Sequence, residues 1–345
     1  MSQPIPTGTR DVLPQEMGEL RAIEATLGEL FAARGYGEVD TPVIESHDPA
    51  DAAEARGGLG YRFFDETGAV LALRSDMTVP IARLAAGRLD PADAPHRLRY
   101  SGSVYRQVRP QRGQMRELRQ IGVELIGAEA PAGTVELIEL LVGALDAIGL
   151  DRAVVGLGDA DLFRQLLDEL EVAGPARDRI LSCLEAHDLV AIEAEAGELA
   201  EIGEAERMAI VALSGLRGGA EVLERARMIG GEAVERASSR LAETFEGLEA
   251  AGIADRVQLD LGLLRDLGYY TGAILEVYDP ALGHILGGGG RYDDLLGRFG
   301  APMPAAGFAL YLERLHVAQA EEERLARERA ADSGQGTADS GGSAS

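Results

Sequence analysis

The stretch "YRQVRPQRGQMRELRQIGVELIG", residues 105–127, decides the fold prediction, because a cationic segment in it leads directly into an alternating apolar run. It holds five arginines: Arg106, Arg109, Arg112, Arg116 and Arg119. Planar guanidinium groups bind carboxylate or phosphate through two parallel hydrogen bonds. A solvated hairpin rim would also be rich in arginine, so composition alone leaves both interpretations open. The position of Arg106 inside an alternating strand, away from its tip, favours a ligand contact.

The end of this stretch, "RQIGVELIG", alternates as a β-strand. Successive side chains of a strand point to opposite faces. Gln120, Gly122 and Glu124 therefore share one face, and Ile121, Val123 and Leu125 share the other. Such a strand forms either the floor of a pocket or a solvated face.

Composition limits the classes of function. The 345 residues include 58 acidic and 33 basic side chains, for a net charge of -25, and every basic residue is arginine. A field of this sign repels phosphate backbones, which argues against a large nucleic-acid footprint and against tRNA binding. The absence of lysine excludes Schiff-base chemistry and a Walker-type phosphate lysine.

The remaining composition predicts a cytoplasmic protein without metal or cofactor. Cys183 is the single cysteine, which favours a buried apolar role, and no two of the five histidines have metal-ligand spacing. The N-terminus has no signal-peptide pattern, and no run of about 18 apolar residues indicates a membrane partner.

The order of patterns along the chain predicts an α+β fold, with an antiparallel sheet flanked by helices. A helix is expected over residues 15–34, a hairpin over 61–74 and a helix from Thr78. Residues 131–250 are helix-rich, with the one strand candidate "AVVGLG", and strand patterns return over 257–310. We therefore expect two β-rich halves that share one sheet within a core of residues 1–320, interrupted by an inserted helix-rich region over about 131–250. Residues 321–345 are expected to be a charged helix and a disordered Gly/Ser tail.

Three further segments combine polar residues with structural roles. In "LRSDMTVPIAR", Asp76 and Thr78 precede a helix, where either could be an N-cap or face a ligand. "GGGGRYDD" lacks the context of a phosphate loop, so a hairpin turn with close backbone approach is favoured. "LLRDLGYYTGAILEVY" carries Arg265, Tyr269 and Tyr270, which suit either a core or a polar ligand.

Taken in order, these segments resemble the catalytic core of class II aminoacyl-tRNA synthetases, most closely the histidyl-tRNA synthetase group, over about residues 4–320. "GYGEVDTPVIES" resembles motif 1, with Pro42 at the dimer interface, and the opening stretch resembles motif 2. "AAGFALYLERL" resembles motif 3, with its arginine at Arg314. "LGLLRDLGYYTG" and "GGGGRYDD" are similar to the two segments typical of the histidine-specific members.

The resemblance implies a histidine-binding site. Its residues would be Asp76, Thr78, Arg106, Gln120, Glu124, Arg265, Tyr269 and Tyr270. By analogy, Arg106 contacts the carboxylate and the α-phosphate of the adenylate, acids hold the ammonium group, and Glu124 with a tyrosine hydroxyl binds the imidazole nitrogens.

Three departures from the synthetase pattern change the expected function. Val108 stands where a glutamate reads adenine, and Tyr311 stands where glycine is usual, in a position that crowds the ATP site. After Leu315 only 30 residues remain (345 minus 315), fewer than the anticodon-binding domain of about 100 residues expected of a synthetase.

These departures, with "LRSDMTVPIAR" and "YYTGAILEVY", resemble the family of ATP phosphoribosyltransferase regulatory subunits. The resemblance implies a non-catalytic subunit of a glycosyltransferase hetero-oligomer, paired with the short-form catalytic subunit at the first step of histidine biosynthesis. It also implies self-association through motif 1 around Pro42. Free L-histidine would then be a feedback signal that shifts the population of conformational states.

Two other classes stay open. A histidyl-tRNA synthetase paralogue with residual histidine adenylation is supported by Arg106, Arg265 and Arg314, and opposed by Val108 and Tyr311. A tRNA-linked histidine sensor is opposed by the negative charge.

Overall fold

The sheet that carries the arginine-rich strand has nine strands. It is seen in a computed structural model that describes residues 4–46, 60–107, 115–265, 268–280 and 282–336, with side chains up to residue 329. Its strands lie in the order β1-β5-β6-β12-β11-β10-β7-β9-β8. A second sheet has the order β2-β4-β3.

The strands of the described residues are β1 (Gly37–Glu38), β2 (Ile44–Ser46), β3 (Arg62–Phe64), β4 (Val70–Leu73), β5 (His96–Tyr105), β6 (Glu117–Ile126), β7 (Val154–Asp159), β8 (Arg217–Gly218), β9 (Val257–Asp260), β10 (Ala273–Tyr278), β11 (Ile285–Arg291) and β12 (Ala305–Tyr311). The helices are α1 (Pro14–Ala33), α2 (Thr78–Arg88), α3 (Ala132–Ala147), α4 (Leu162–Glu169), α5 (Gly174–Glu185), α6 (Leu189–Gly197), α7 (Glu204–Ser214), α8 (Glu221–Ile229), α9 (Glu232–Ala250) and α10 (Leu312–Gly336).

The predicted sharing of one sheet by the two β-rich halves is confirmed. Strands β5 and β6 of the first half join β12, β11 and β10 of the second through antiparallel pairs. The sheet is nevertheless mixed, since β1 pairs with β5 and β7 pairs with β9 in parallel. Parallel neighbours need long crossover connections. The segments between β1 and β5 and between β7 and β9 supply them.

Both faces of the sheet are covered. On one face, α1 buries Leu20, Ile23, Leu27 and Phe31 in a core shared with α3. Their spacing of three and four residues forms one helical stripe, and each burial contributes about 1.5 to 3 kcal/mol. The other face carries α2 and a cluster of tyrosines.

The alternation predicted for β6 is confirmed in the packing. Ile121 and Val123 enter the core beneath α1, whereas Leu118 and Ile126 belong to the second core, on the side of α2. Gln120 and Glu124 share this second face by the same alternation. The polar side of the strand is thus a buried floor.

The helix-rich region contains α3 to α9, as expected, but two strands of the main sheet interrupt it. One is β7, the predicted candidate, and the other is the two-residue β8, which the sequence pattern did not reveal. The α10 helix is continuous from Leu312 to Gly336. The tail expected to be disordered begins at Ala331, but residues 331–336 belong to α10, and residues 337–345 lie outside the described residues. Among the residues that the structure describes, no helix is both long and apolar enough to cross a bilayer.

Candidate functional site

A narrow pocket lies on the α2 side of the sheet, above β6, β11 and β12. Seven of the eight residues predicted from the resemblance line it: Asp76, Thr78, Arg106, Gln120, Arg265, Tyr269 and Tyr270. The lining is completed by Tyr292, Phe308, Ala309, Tyr311 and the glycines Gly288, Gly289 and Gly307, and the full set defines the arginine pocket. The space open to the centre of a water-sized sphere is about 20 Å³. This is room for about one water molecule.

Glu124, the eighth predicted residue, lies at the edge of the arginine pocket. It is 1% exposed, and Thr78 Oγ1 donates a hydrogen bond of 2.8 Å to its Oε1. The hydroxyl of Tyr292 donates to its Oε2. Burial raises the pKa of Glu124 to about 8, despite these donors. The group can therefore accept or donate a proton near neutral pH.

The neighbouring acid, Asp76, has two roles. Its Oδ1 accepts a hydrogen bond of 2.9 Å from the backbone N–H of Val79, in the first turn of α2. It thus satisfies one of the donors at the start of the helix, as the N-cap interpretation expects, although Met77 holds the cap position itself. Desolvation raises the pKa of Asp76.

Gln120 presents an unused acceptor. The residue is 3% exposed, and its Oε1 has no hydrogen-bond partner among the described residues. Buried polar atoms are nearly always hydrogen-bonded in native structures. Because Gln120 lines the arginine pocket, a ligand N–H is a fitting donor.

Three arginines surround Tyr311. The Nη1 of Arg106 donates a hydrogen bond of 2.9 Å to the Tyr311 hydroxyl, and its Nε donates to the carbonyl of Ser75 at 3.0 Å. The guanidinium of Arg314 lies 4.5 Å from the centroid of the Tyr311 ring. Burial alone would raise the pKa of Tyr311, but Arg106, Arg265 and Arg314 outweigh it and lower the value.

The aromatic wall of the arginine pocket includes one residue that sequence reasoning missed. The centroids of Tyr269 and Tyr270 are 4.8 Å apart, and Tyr292 meets Tyr269 edge to face at 6.0 Å. Tyr292 stood inside the quoted segment "GGGGRYDD" but was not selected. It directly follows β11, a strand that borders the predicted site, and this position could have identified it.

The four glycines of this segment occupy the interior of β11, which corrects the expectation of a hairpin turn. Close backbone approach, the other part of that expectation, is present. A Cβ on Gly289 would lie 2.0 Å from the carbonyl oxygen of Gly307, and one on Gly287 would lie 2.3 Å from that of Ala309. Glycine is needed where neighbouring strands and ligand-facing side chains approach so closely.

The arginines of the predicted cationic patch are not all in the arginine pocket. Arg119 donates to Met17 Sδ and lies 3.9 Å from Glu313, outside the pocket lining. Arg109, Arg112 and Val108 lie outside the described residues. Among the described members of the patch, Arg106 lines the arginine pocket. It follows the end of β5 directly, which corrects the expectation that it lies inside a strand.

A second cavity, about 200 Å³ by the same measure, lies between α3, α9 and the start of β10. Two ion pairs line it: Arg240 with Asp159 at 2.8 Å, and Arg291 with Asp293 at 2.7 Å. Its arginines are therefore already paired with carboxylates. The arginine pocket is smaller, but Gln120 Oε1 in its lining has no hydrogen-bond partner among the described residues.

Comparisons with known proteins agree with this fold. A family model described as histidyl-tRNA synthetase matches residues 8–315. The ATP phosphoribosyltransferase regulatory subunit of Moorella thermoacetica is 44% identical over 320 residues, which cover 92% of this chain and 82% of that protein. The protein of the same name from Symbiobacterium thermophilum is 42% identical, over 95% of this chain and 83% of its own length.

A solved structure gives the same result. The crystal structure of an ATP phosphoribosyltransferase regulatory subunit/histidyl-tRNA synthetase from Bacillus halodurans C has a TM-score of 0.82 and 31% identity, with coverage of 96% of this chain and 90% of that one. Sequence and fold together show that the chain belongs to the family of ATP phosphoribosyltransferase regulatory subunits, which have the class II histidyl-tRNA synthetase fold.

Proposed function

We propose that this chain is the non-catalytic regulatory subunit of an ATP phosphoribosyltransferase complex and that it binds L-histidine in the arginine pocket. The observation that carries the proposal is the arrangement of complementary groups across one small pocket. Arginines, tyrosines and the unpaired Oε1 of Gln120 line the pocket, and the buried carboxyl of Glu124 with its donors lies at the edge. Free histidine carries a matching carboxylate, ring and ammonium group.

The carboxylate fits the arginines of the pocket. Arg106 donates to two neutral oxygens, those of Ser75 and Tyr311, so these partners do not neutralise its charge. A ligand carboxylate is a stronger acceptor than a tyrosine hydroxyl. It would displace Tyr311 from Arg106 and open the narrow pocket.

The ammonium group and the ring fit the acceptors of the arginine pocket. Gln120 Oε1 and the carboxyl of Asp76 can accept hydrogen bonds from an ammonium group. Glu124, which Thr78 and Tyr292 hold in place, can pair with an imidazole nitrogen. Tyr269 and Tyr270 supply a wall against which a planar ring packs.

Regulation follows from linkage. A ligand that binds one conformational state of a complex better than another shifts the population toward that state. We propose that the partner is the short-form ATP phosphoribosyltransferase catalytic subunit and that histidine lowers its activity. The names of the relatives support a partnership with an ATP phosphoribosyltransferase catalytic subunit.

Self-association around Pro42 is part of the proposal. Pro42 is exposed, and so are its apolar neighbours Val43 and Ile44, the latter being the first residue of β2. Phe64, on β3 of the same small sheet, is 75% exposed. A second copy of this chain would cover these side chains, as the resemblance to motif 1 implies.

Calorimetry tests whether L-histidine binds in the arginine pocket. We expect L-histidine to bind at micromolar to submillimolar affinity, roughly -5 to -8 kcal/mol. Glu124→Ala should cost about 1 to 3 kcal/mol, because it leaves a ring nitrogen unpaired. The control is Glu193→Ala, which changes an exposed glutamate on α6. Absence of histidine binding, or equal affinity in both variants, contradicts the assignment.

A further inference from the structure

Glu276 on β10 lies between the arginine pocket and the helix-rich region. Its Oε2 is 3.7 Å from Nη1 of Arg265, and its Oε1 is 3.5 Å from Nε2 of His187. The Glu276 side chain is 12% exposed. One oxygen of the Glu276 carboxylate therefore faces the guanidinium of Arg265 in the arginine pocket. The other oxygen faces His187, which belongs to the helix-rich region.

The strand register explains why the guanidinium of Arg265 lies close to Glu276. Glu276 is the cross-strand partner of Gly288 on β11. A Cβ on Gly288 would lie 1.9 Å from Nη1 of Arg265, so the guanidinium occupies the space that a side chain would need. Its contact with the carbonyl oxygen of Gly287, at 3.4 Å, is a weak hydrogen bond. Glu276 is thus the carboxylate that holds the guanidinium at the pocket wall.

His187 belongs to the turn between α5 and α6. Its φ of 52° is left-handed, which is uncommon for a residue other than glycine. The charged groups that face it are Glu276 and the ion pair of Arg217 with Asp260, whose atoms are 2.8 Å apart. The hydrogen bond to Glu276 raises the pKa of His187.

We propose that Glu276 is a positioning residue of the arginine pocket, which holds Arg265 against β11 and links it through His187 to the α5–α6 turn. This inference rests on the proposed function of the pocket. A ligand carboxylate that accepts hydrogen bonds from Arg265 competes with Glu276. Glu276 is then freed to pair more closely with His187, so occupancy of the pocket is transmitted to the helix-rich region.

The sign of the pH effect follows from reciprocity. Ligand binding strengthens the pair of Glu276 with protonated His187, and so it raises the pKa of His187. By linkage, protonation of His187 strengthens the binding of a carboxylate ligand to the same extent. Affinity should increase as pH falls through the titration of His187.

Calorimetry with L-histidine between about pH 5.5 and 8.5 compares the parent with His187→Gln and Glu276→Gln. The difference between parent and variant removes the titrations of the free ligand and of Glu124, which both proteins share. At low pH the parent should bind L-histidine roughly fivefold more tightly than His187→Gln does, which is the low end of typical coupling between two sites. At high pH the two proteins should bind it equally. Glu276→Gln should bind L-histidine with an affinity that no longer depends on the protonation of His187, because the amide carries no charge to share between Arg265 and His187. Glu276→Asp should restore part of this dependence.

Two further measurements separate this linkage from a structural role. Histamine has the ring and amine of histidine but no carboxylate, so its affinity should be the same in parent and His187→Gln. By NMR, the pKa of His187 should rise when L-histidine binds. Parallel pH profiles in parent and His187→Gln, no rise of that pKa, or the pH profile of the parent in Glu276→Gln would overturn the inference while leaving histidine binding intact. A parent that binds no histidine at any pH would overturn the proposed function as well.

Discussion

Glu124 shows most clearly how folding changes the chemistry of a residue. In the unfolded chain its carboxyl is solvated, and in the folded protein it is buried beside Thr78 and Tyr292. A Cβ on Gly307 would lie 1.7 Å from Glu124 Oε2, so the opposite strand must carry glycine there. The sequence indicated which face Glu124 occupies but not this contact, since 183 residues separate the pair (307 minus 124).

The raised pKa of Glu124 predicts the pH dependence of stability. The pKa is about 8 in the folded protein against an ordinary value of 4.5, so between these limits the folded state binds a proton that the unfolded state does not. Stability must therefore fall as pH rises through this window. Glu124→Gln, which cannot ionise, should have a flatter profile and gain stability relative to the parent at pH 8.

Urea denaturation at about pH 5.5, 7 and 8.5 measures this difference. Glu322, whose pKa burial raises to about 7, contributes a slope of the same sign in both proteins. The difference between parent and Glu124→Gln isolates Glu124. Superimposable pH profiles would mean that Glu124 is ionised in the folded state.

Tyr311 predicts that histidine-dependent ATP/pyrophosphate exchange is near background. Its hydroxyl accepts from Arg106 and its ring is covered by Arg314, so both guanidinium groups are engaged where the resemblance expects nucleotide contacts. Incorporation of labelled pyrophosphate is the measurement, with a histidyl-tRNA synthetase as positive control. Turnover of roughly 1 to 1000 per second, typical of an enzyme, would favour the adenylation alternative.

At the scale of elements, the sequence predicted the strands that form the pocket floor better than the edges of the sheet. Alternation in β6 and helical spacing in α1 are local patterns, and both match the structure. The parallel pairings of β1 and β9 depend on which strands meet across long connections, which no local pattern records. The two-residue β8 is too short to show any periodicity.

The β11 strand is another element that a local sequence pattern did not predict, and its structure supports a testable prediction. Its glycines suggested a turn, but the side chain of Arg265 and the carbonyl of Leu275 require their small size at Gly288. Gly288→Ala should displace Arg265 and weaken histidine binding by about tenfold or more, since a charged hydrogen bond contributes about 1.5 to 3 kcal/mol.

Gly283→Ala is the matched control, because a Cβ there meets nothing within 4 Å. Circular dichroism and thermal melting show whether each variant is folded. A folded Gly288→Ala protein with the affinity of the parent would remove Arg265 from the ligand contacts.

At the scale of the whole molecule, a chain with a net charge of -25 places Arg106 and Arg265 inside a pocket. The field outside is negative, which disfavours tRNA, while the local field in the arginine pocket attracts a carboxylate. The sequence alone could predict this contrast between the outer field and the field in the arginine pocket, because the prediction needs only the total charge and the alternation around Arg106.

The last prediction concerns the complex. Mixed with a short-form ATP phosphoribosyltransferase catalytic subunit, the parent should form a stable complex, raise its activity and make it sensitive to histidine. Arg265→Ala should remain assembled, because the exposed surface around Pro42 and Phe64 is unchanged, yet lose the histidine response with the carboxylate contact. Size-exclusion chromatography measures assembly, and steady-state rates with and without histidine measure the response. If Arg265→Ala assembles and is inhibited as strongly as the parent, the feedback site lies outside the arginine pocket.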